Sequence, residues 1–138
     1  MYRSDIISRI LQSGTVLLLL LAALAVRADE EVGKSVFLVM EDNRVTAVNA
    51  ETGQFFDLPI SAKEVIEQRV VAKGVAIVIT NQRFAGVGLL PSGWASKRRS
   101  AGETVLSVEA EDTAAVVVTS DRVLSFNGRF GAWAEKSR

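Results

Sequence analysis

The sequence contains no cysteine and no histidine. The first absence excludes disulfide staples and thiolate chemistry. The second removes the commonest general base, a common metal ligand and the side chain that changes charge near neutral pH. Charge of one sign is lacking as well, since 16 basic residues balance 16 acidic ones. The stretch from Met1 to Ala28 holds Arg3, Arg9 and Arg27 against Asp5. Without it, 13 basic and 15 acidic side chains are left, a net charge of −2. Phosphate binding needs a basic surplus, so nucleic acid is not an expected partner.

What is present is a repeat. The step from Arg44 to Arg83 equals the step from Arg83 to Arg122, and Phe55, Trp94 and Trp133 follow the same spacing. Sliding 72–99 onto 111–138 without a gap makes eight of 28 positions identical: Ala76, Val78, Thr80, Arg83, Trp94, Ala95, Lys97 and Arg99 match their partners. A fixed period of this length marks a repeated supersecondary unit. The chain length fits one domain, here made of units at about 29–60, 61–99 and 100–138.

The segment from Met1 to Ala28 reads as a secretory signal peptide, helical in its apolar part. Arg3 and Arg9 form a positive start, and Thr15 to Val26 is an uncharged apolar run. Val26 and Ala28 then put small side chains where a signal peptidase inspects them. Cleavage after Ala28 would leave a mature chain starting at Asp29, in the periplasm or outside the cell. The alternative is an uncleaved membrane anchor. Ile10 to Val26, interrupted by Gln12, Ser13 and Gly14, lies at the low edge of spanning length. No cysteine follows the run, which closes the bacterial lipoprotein route.

The remainder reads as all-β. Val36 to Met40, Val75 to Thr80 and Ala114 to Thr119 are apolar runs of strand length, as expected for strands buried on both faces. Asp42-Asn43, Asn81-Gln82 and Ser120-Asp121 are polar turns leading into second strands. Gly53 can take the positive φ of a tight turn before Gln54 to Leu58, which Pro59 closes. Further strands start near Trp94 and Trp133. Ser61 to Lys73 is ambiguous, because Ser61-Ala62-Lys63-Glu64 matches a helix capping box. Its register partner alternates as a strand over Thr104 to Glu111, and this favours a strand at Val65 to Val71. Each full unit then has four antiparallel strands. The first unit lacks its leading strand and has three.

Copy one, Val36 to Phe56, resembles a blade of the PQQ-like β-propeller repeat. The matching features are the apolar strand, Asp42-Asn43, Val45 to Val48, Ala50, Thr52-Gly53 and Phe55. Copies two and three lose the Thr-Gly step, and three units fall short of a closed propeller. The resemblance implies a fold of propeller blades. Nothing in the chain resembles the family's quinone site, so no cofactor is expected. A β-trefoil, three units closing within one chain, is the alternative architecture.

Several residues are candidates for a binding surface. Phe55, Trp94 and Trp133 suit either stacking on a sugar or packing the seam between units. Arg44, Arg83 and Arg122 suit gripping a carboxylate, or lying along a strand with the head in water. Lys97-Arg98-Arg99 suits an anionic partner, or a solvated edge that discourages aggregation. Glu109, Glu111 and Asp112 lack the ligand spacing that calcium needs, and no metal site is expected. Paired-carboxylate hydrolysis is not expected, on the reading that no acid recurs with the repeat or sits in an apolar setting that would raise its pKa. The expectation is an exported, non-catalytic module for protein interaction, with a carbohydrate-binding repeat protein as the alternative. The partner is another exported protein or a second copy, a homodimer following from blades because three blades leave two open faces. Contact with a membrane is expected only through an uncleaved signal segment.

Overall fold

The computed structural model describes residues 33–138. The segment read as a signal peptide lies outside the described residues, as do positions 27–32, where the register would place the first unit's leading strand. Eleven strands follow in order, and no helix occurs among the described residues. They are β1 (Val36–Met40), β2 (Arg44–Asn49), β3 (Gln54–Pro59), β4 (Ile66–Val71), β5 (Ala76–Thr80) and β6 (Arg83–Val87), then β7 (Ala95–Arg98), β8 (Val105–Glu111), β9 (Ala114–Thr119), β10 (Arg122–Asn127) and β11 (Ala132–Ser137). The ladders form three antiparallel sheets, β1-β2-β3, β4-β5-β6-β7 and β8-β9-β10-β11, which we call sheets I, II and III.

The strand at Ile66–Val71 follows the register and not the capping box. Half of the box chemistry is nonetheless present, the glutamate side chain reaching back to the Ser61 N–H. The Ser61 N–H donates to Glu64 Oε1 at 3.3 Å, and the Glu64 N–H donates back to the Ser61 carbonyl at 3.1 Å. These two bonds close a turn, after which Ile66, Val70 and Val71 are drawn onto the neighbouring sheets. The β-bulges between Ile66 and Gln68 and between Val105 and Ser107 fall at matching positions of the repeat. Gly53 has φ 72°, the left-handed value its turn requires.

The sheets stack face to face in chain order. Ala76, Val78, Ala85 and Val87 of sheet II pack on Val36, Val45, Ala47 and Leu58 of sheet I. Val75, Ile77, Ile79 and Phe84, on the opposite face, pack on Ala115, Val117, Leu124 and Phe126 of sheet III. Phe84 and Phe126 are 0% and 1% exposed, and burying each side chain stabilises the stack by about 1.5–3 kcal/mol. Backbone bonds repeat between sheets as well, Ser35 N–H to Lys73 O at 2.6 Å and Gly74 N–H to Asp112 O at 2.8 Å.

Two expectations are corrected here. A trefoil closes by ladders between units, whereas each ladder among the described residues lies within one unit. The three apolar runs were expected to be buried on both faces, and only β5 is buried throughout. β9 alternates exposed and buried at its start, and Val39 of β1 is 47% exposed. The reason is position in the stack. Among the described residues, sheet II has a neighbour on each side, while sheets I and III each have one.

Candidate functional site

One cluster occurs twice at the spacing of the repeat, where the sheets' entry turns meet. In sheet II, Glu64 Oε2 accepts the Thr80 hydroxyl and Arg83 Nε, both at 2.7 Å, and Oε1 accepts Arg83 Nη2 at 3.0 Å. In sheet III, Glu103 Oε2 accepts Thr119 Oγ1 at 2.6 Å and Arg122 Nε at 2.9 Å, and Oε1 accepts Arg122 Nη2 at 3.0 Å. Each threonine hydroxyl also accepts backbone N–H groups of the following turn, from Gln82 and Arg83 or from Asp121 and Arg122. A Ser/Thr hydroxyl suits this role because it donates and accepts at once. Each arginine then reaches the preceding sheet, Arg83 bonding the Pro59 carbonyl and Arg122 the Arg98 carbonyl.

The electrostatics follow from these bonds. Burial pushes the Glu103 carboxyl upward, but the bonds from Arg122, Thr119 and the Ser100 N–H overcome it and hold the group at about 2. Burial acts on Glu64 in the same way, and Arg83, Thr80 and the Ser61 N–H lower it overall. Both groups are therefore carboxylates clamped as anions, the opposite of an acid poised to donate a proton. Arg122 is raised chiefly by its bond to Glu103, and it also contacts Glu135.

Arg83 and Arg122, candidates for a partner's carboxylate or for a solvated head along a strand, instead bond internal carboxylates, Glu64 and Glu103. Arg44 differs. Glu41 occupies the position of Thr80 and Thr119, and Arg44 pairs with it at 2.8 Å on an exposed surface. The expectation that no acid recurs is corrected here: Glu64, read from the sequence only as part of a capping box, recurs as Glu103, each in Ser-x-x-Glu at 61–64 and 100–103 and followed by Thr-x-x-Arg at 80–83 and 119–122.

The aromatic set divides. Trp94 and Trp133 are half-buried in the seams, with indole N–H groups donating to Phe56 O and Ala95 O, each at 2.9 Å. Trp133 also tilts against Phe126, ring centroids 5.0 Å apart. Phe55, their register mate, is 70% exposed on the outer face of sheet I.

The basic run divides too. Arg99 is tied to Glu67, Thr80 O and Glu103 O, and Lys97 pairs with Glu135 across the seam at 3.8 Å. Arg98 is exposed, lining an open groove with Ser61, Asn81 and Ser100 along the entry turns. Two of its three side chains are thus held in separate internal contacts, and the run does not form one basic patch.

No protein-family model matches the sequence, nor does any curated protein. Among solved structures, the N-terminal domain of Nup159 is similar at a TM-score of 0.41 and 16% identity, over 74% of this chain and 27% of that one. A chain in a complex of S. cerevisiae Dbp5 bound to Nup159, Gle1, IP6 and ADP is similar at a TM-score of 0.39 and 10% identity, over 76% of this chain and 31% of that one. This chain spans less than a third of either.

Proposed function

We propose that this is an exported, non-catalytic β-repeat protein, a propeller-type stack that serves as an interaction or scaffold module for another protein. Export rests on the sequence, namely the positive start, the apolar run and the small residues at Val26 and Ala28. The blade reading draws support from one sheet per unit of the repeat and from the PQQ-like pattern of Val36 to Phe56.

Val65, Leu106 and Phe130 are exposed at turns and a strand start, and the observation that carries the interaction role is the apolar surface on the end faces. Phe55 is 70% exposed and Val39 47% exposed on the outer face of sheet I, and Val116 is 39% exposed on the outer face of sheet III. Phe37, Val48 and Phe55 are cross-strand neighbours, so they form one row. Open apolar faces of this kind mark surfaces that meet another molecule. The most enclosed carboxylates, by contrast, are committed to holding the sheets together.

The test places a photo-activated cross-linking residue at position 55 of the chain in its producing cell. Adducts to a protein are expected. Absence of any protein adduct, or turnover in a hydrolase screen, would remove this reading. A carbohydrate-binding reading draws on the exposed Phe55 ring alone, because both indole N–H groups are engaged in the seams. Glycan binding abolished by Phe55→Ala would establish it in place of the protein-binding role.

A further inference from the structure

We propose that the two open faces cover each other between two copies of this chain, head to tail, closing a dimer of six sheets. The proposal rests on the interaction-module reading and names its partner as a second copy. Three features of the repeat carry it.

The first is equivalence of faces. In both seams, the face of a sheet that looks back along the chain meets the face of its predecessor that looks forward. The backward face of sheet I and the forward face of sheet III are the same two surfaces, each left over at one end. The chain thus shows twice what covers such a face, and the cover is a sheet of its own kind.

The second is fit. In the seam between sheets II and III, Phe126 lies so close to Gly86 that a Cβ there would be 2.7 Å from the ring. At this point of the seam a large side chain of the backward face is received by a glycine of the forward face. The two end faces divide in the same sense. Sheet I offers Phe37 and Phe55, while sheet III offers Ala114, Ser125 and Ala134 beside Val116, Val118 and Val123. Ser125 is the register mate of Gly86. Ala134 is the mate of Ala95, whose carbonyl receives Trp133, and Phe55 is the mate of Trp133.

The third is charge. Lys97 of sheet II meets Glu135 of sheet III across their seam at 3.8 Å, with Arg122 on the same carboxylate. The register mate of Lys97 on the open face of sheet III is Lys136. The mate of Glu135 on the open face of sheet I is Asp57. Asp57 accepts the Thr46 hydroxyl at 2.7 Å, and it adds to the raising of Arg44 that Glu41 chiefly causes. Seating one end on the other therefore brings Lys136 to Asp57 and repeats the ion pair already present between sheets II and III.

The experiment uses the protein expressed from its full coding sequence, with light scattering compared against its mass under denaturing conditions. A ratio of two is expected. Asp57→Lys and Lys136→Asp should each raise the dimer dissociation constant by about tenfold through like-charge contact, and the doubly reversed chain should regain most of the loss. The absence of cysteine allows a second measurement that does not depend on reversal. Asp57→Cys and Lys136→Cys chains, mixed and oxidised, should cross-link to each other. Within one chain the two sites sit on opposite ends of a three-sheet stack with sheets about 10 Å apart, beyond disulfide reach. A monomeric mass at the highest soluble concentration overturns the proposal. So does a mass that grows without limit, or a dimer indifferent to both reversals and without the mixed cross-link. If residue 55 captures a different protein while the chain stays monomeric, self-pairing fails and the interaction reading stands. If position 55 captures no protein, both fail.

Discussion

Glu103 and Arg122 meet in a two-pronged contact, Nε to Oε2 at 2.9 Å and Nη2 to Oε1 at 3.0 Å, with the carboxylate side chain 0% exposed. Glu64 and Arg83 repeat the contact one unit earlier, with the carboxylate side chain 2% exposed. A buried carboxylate costs several kcal/mol of desolvation, recovered only when its lone pairs are filled with good geometry. Here they are filled, by a guanidinium, a hydroxyl and a backbone N–H. The arrangement fixes how each sheet sits on the one before it, since the same arginine bonds the preceding sheet's carbonyl.

Acid stability should report this contact directly. Glu103 is held at about 2 against an ordinary value of 4.5, so its contribution is complete above the ordinary value and is lost as pH falls toward 2. The size is about 3 kcal/mol at neutral pH by linkage, with a smaller loss of the same sign from Glu64. Glu103→Gln should be less stable than the parent at pH 7, and the difference should shrink as pH falls from about 5 to 2. Denaturant unfolding across that range makes the comparison. Parallel curves for the two proteins would show that the carboxylate is not held down.

The repeat made most of this architecture legible. Thr80, Arg83 and Trp94 recur at 119, 122 and 133 because each pair does the same structural work, the arginines and tryptophans bonding the preceding sheet. What was not legible was the pairing of those arginines. Glu64 and Glu103 lie 19 residues before their partners, across two strands and two turns, and Ser-x-x-Glu reads locally as the start of a helix. A local signal cannot reveal that its glutamate will be claimed by a guanidinium on another strand. The expectation of uniform burial failed for a related reason. Val36–Met40 and Ala114–Thr119 have central-strand composition, but composition does not encode which sheet stands at an end of the stack.

Tryptophan substitution should separate seam packing from ligand binding. Trp133 fills part of the II–III seam and donates its indole N–H to Ala95 O at 2.9 Å. Trp133→Phe retains most of the ring and deletes the donor, so a loss of about 1–2 kcal/mol is expected, measured by denaturant unfolding. Phe55→Ala, at a ring 70% exposed, should leave the monomer's stability within about 0.5 kcal/mol. Equal losses from the two substitutions would contradict the division of the aromatic set.

The tightest approach between sheets sets the last expectation. A Cβ on Gly88 would collide with the Gly128 carbonyl oxygen and Cα, and the Leu89 N–H bonds that same carbonyl at 2.9 Å. The obstacle at Gly88 is backbone, which cannot rotate aside as a side chain does. At Gly86 the obstacle is the Phe126 ring, with the nearest atom 2.7 Å from the added carbon. Overpacking a core costs about 1–3 kcal/mol when neighbours can shift, and more when they cannot. Gly86→Ala should therefore fall within that range, and Phe126→Leu should relieve part of it in the double variant. Gly88→Ala should exceed it, with no rescue from Phe126→Leu, because the two backbones would have to part. Unfolding free energies of the two glycine variants, each with and without Phe126→Leu, decide the matter. If Gly88→Ala proves the milder change, the sheets do not approach at Gly88 and Gly128 as described.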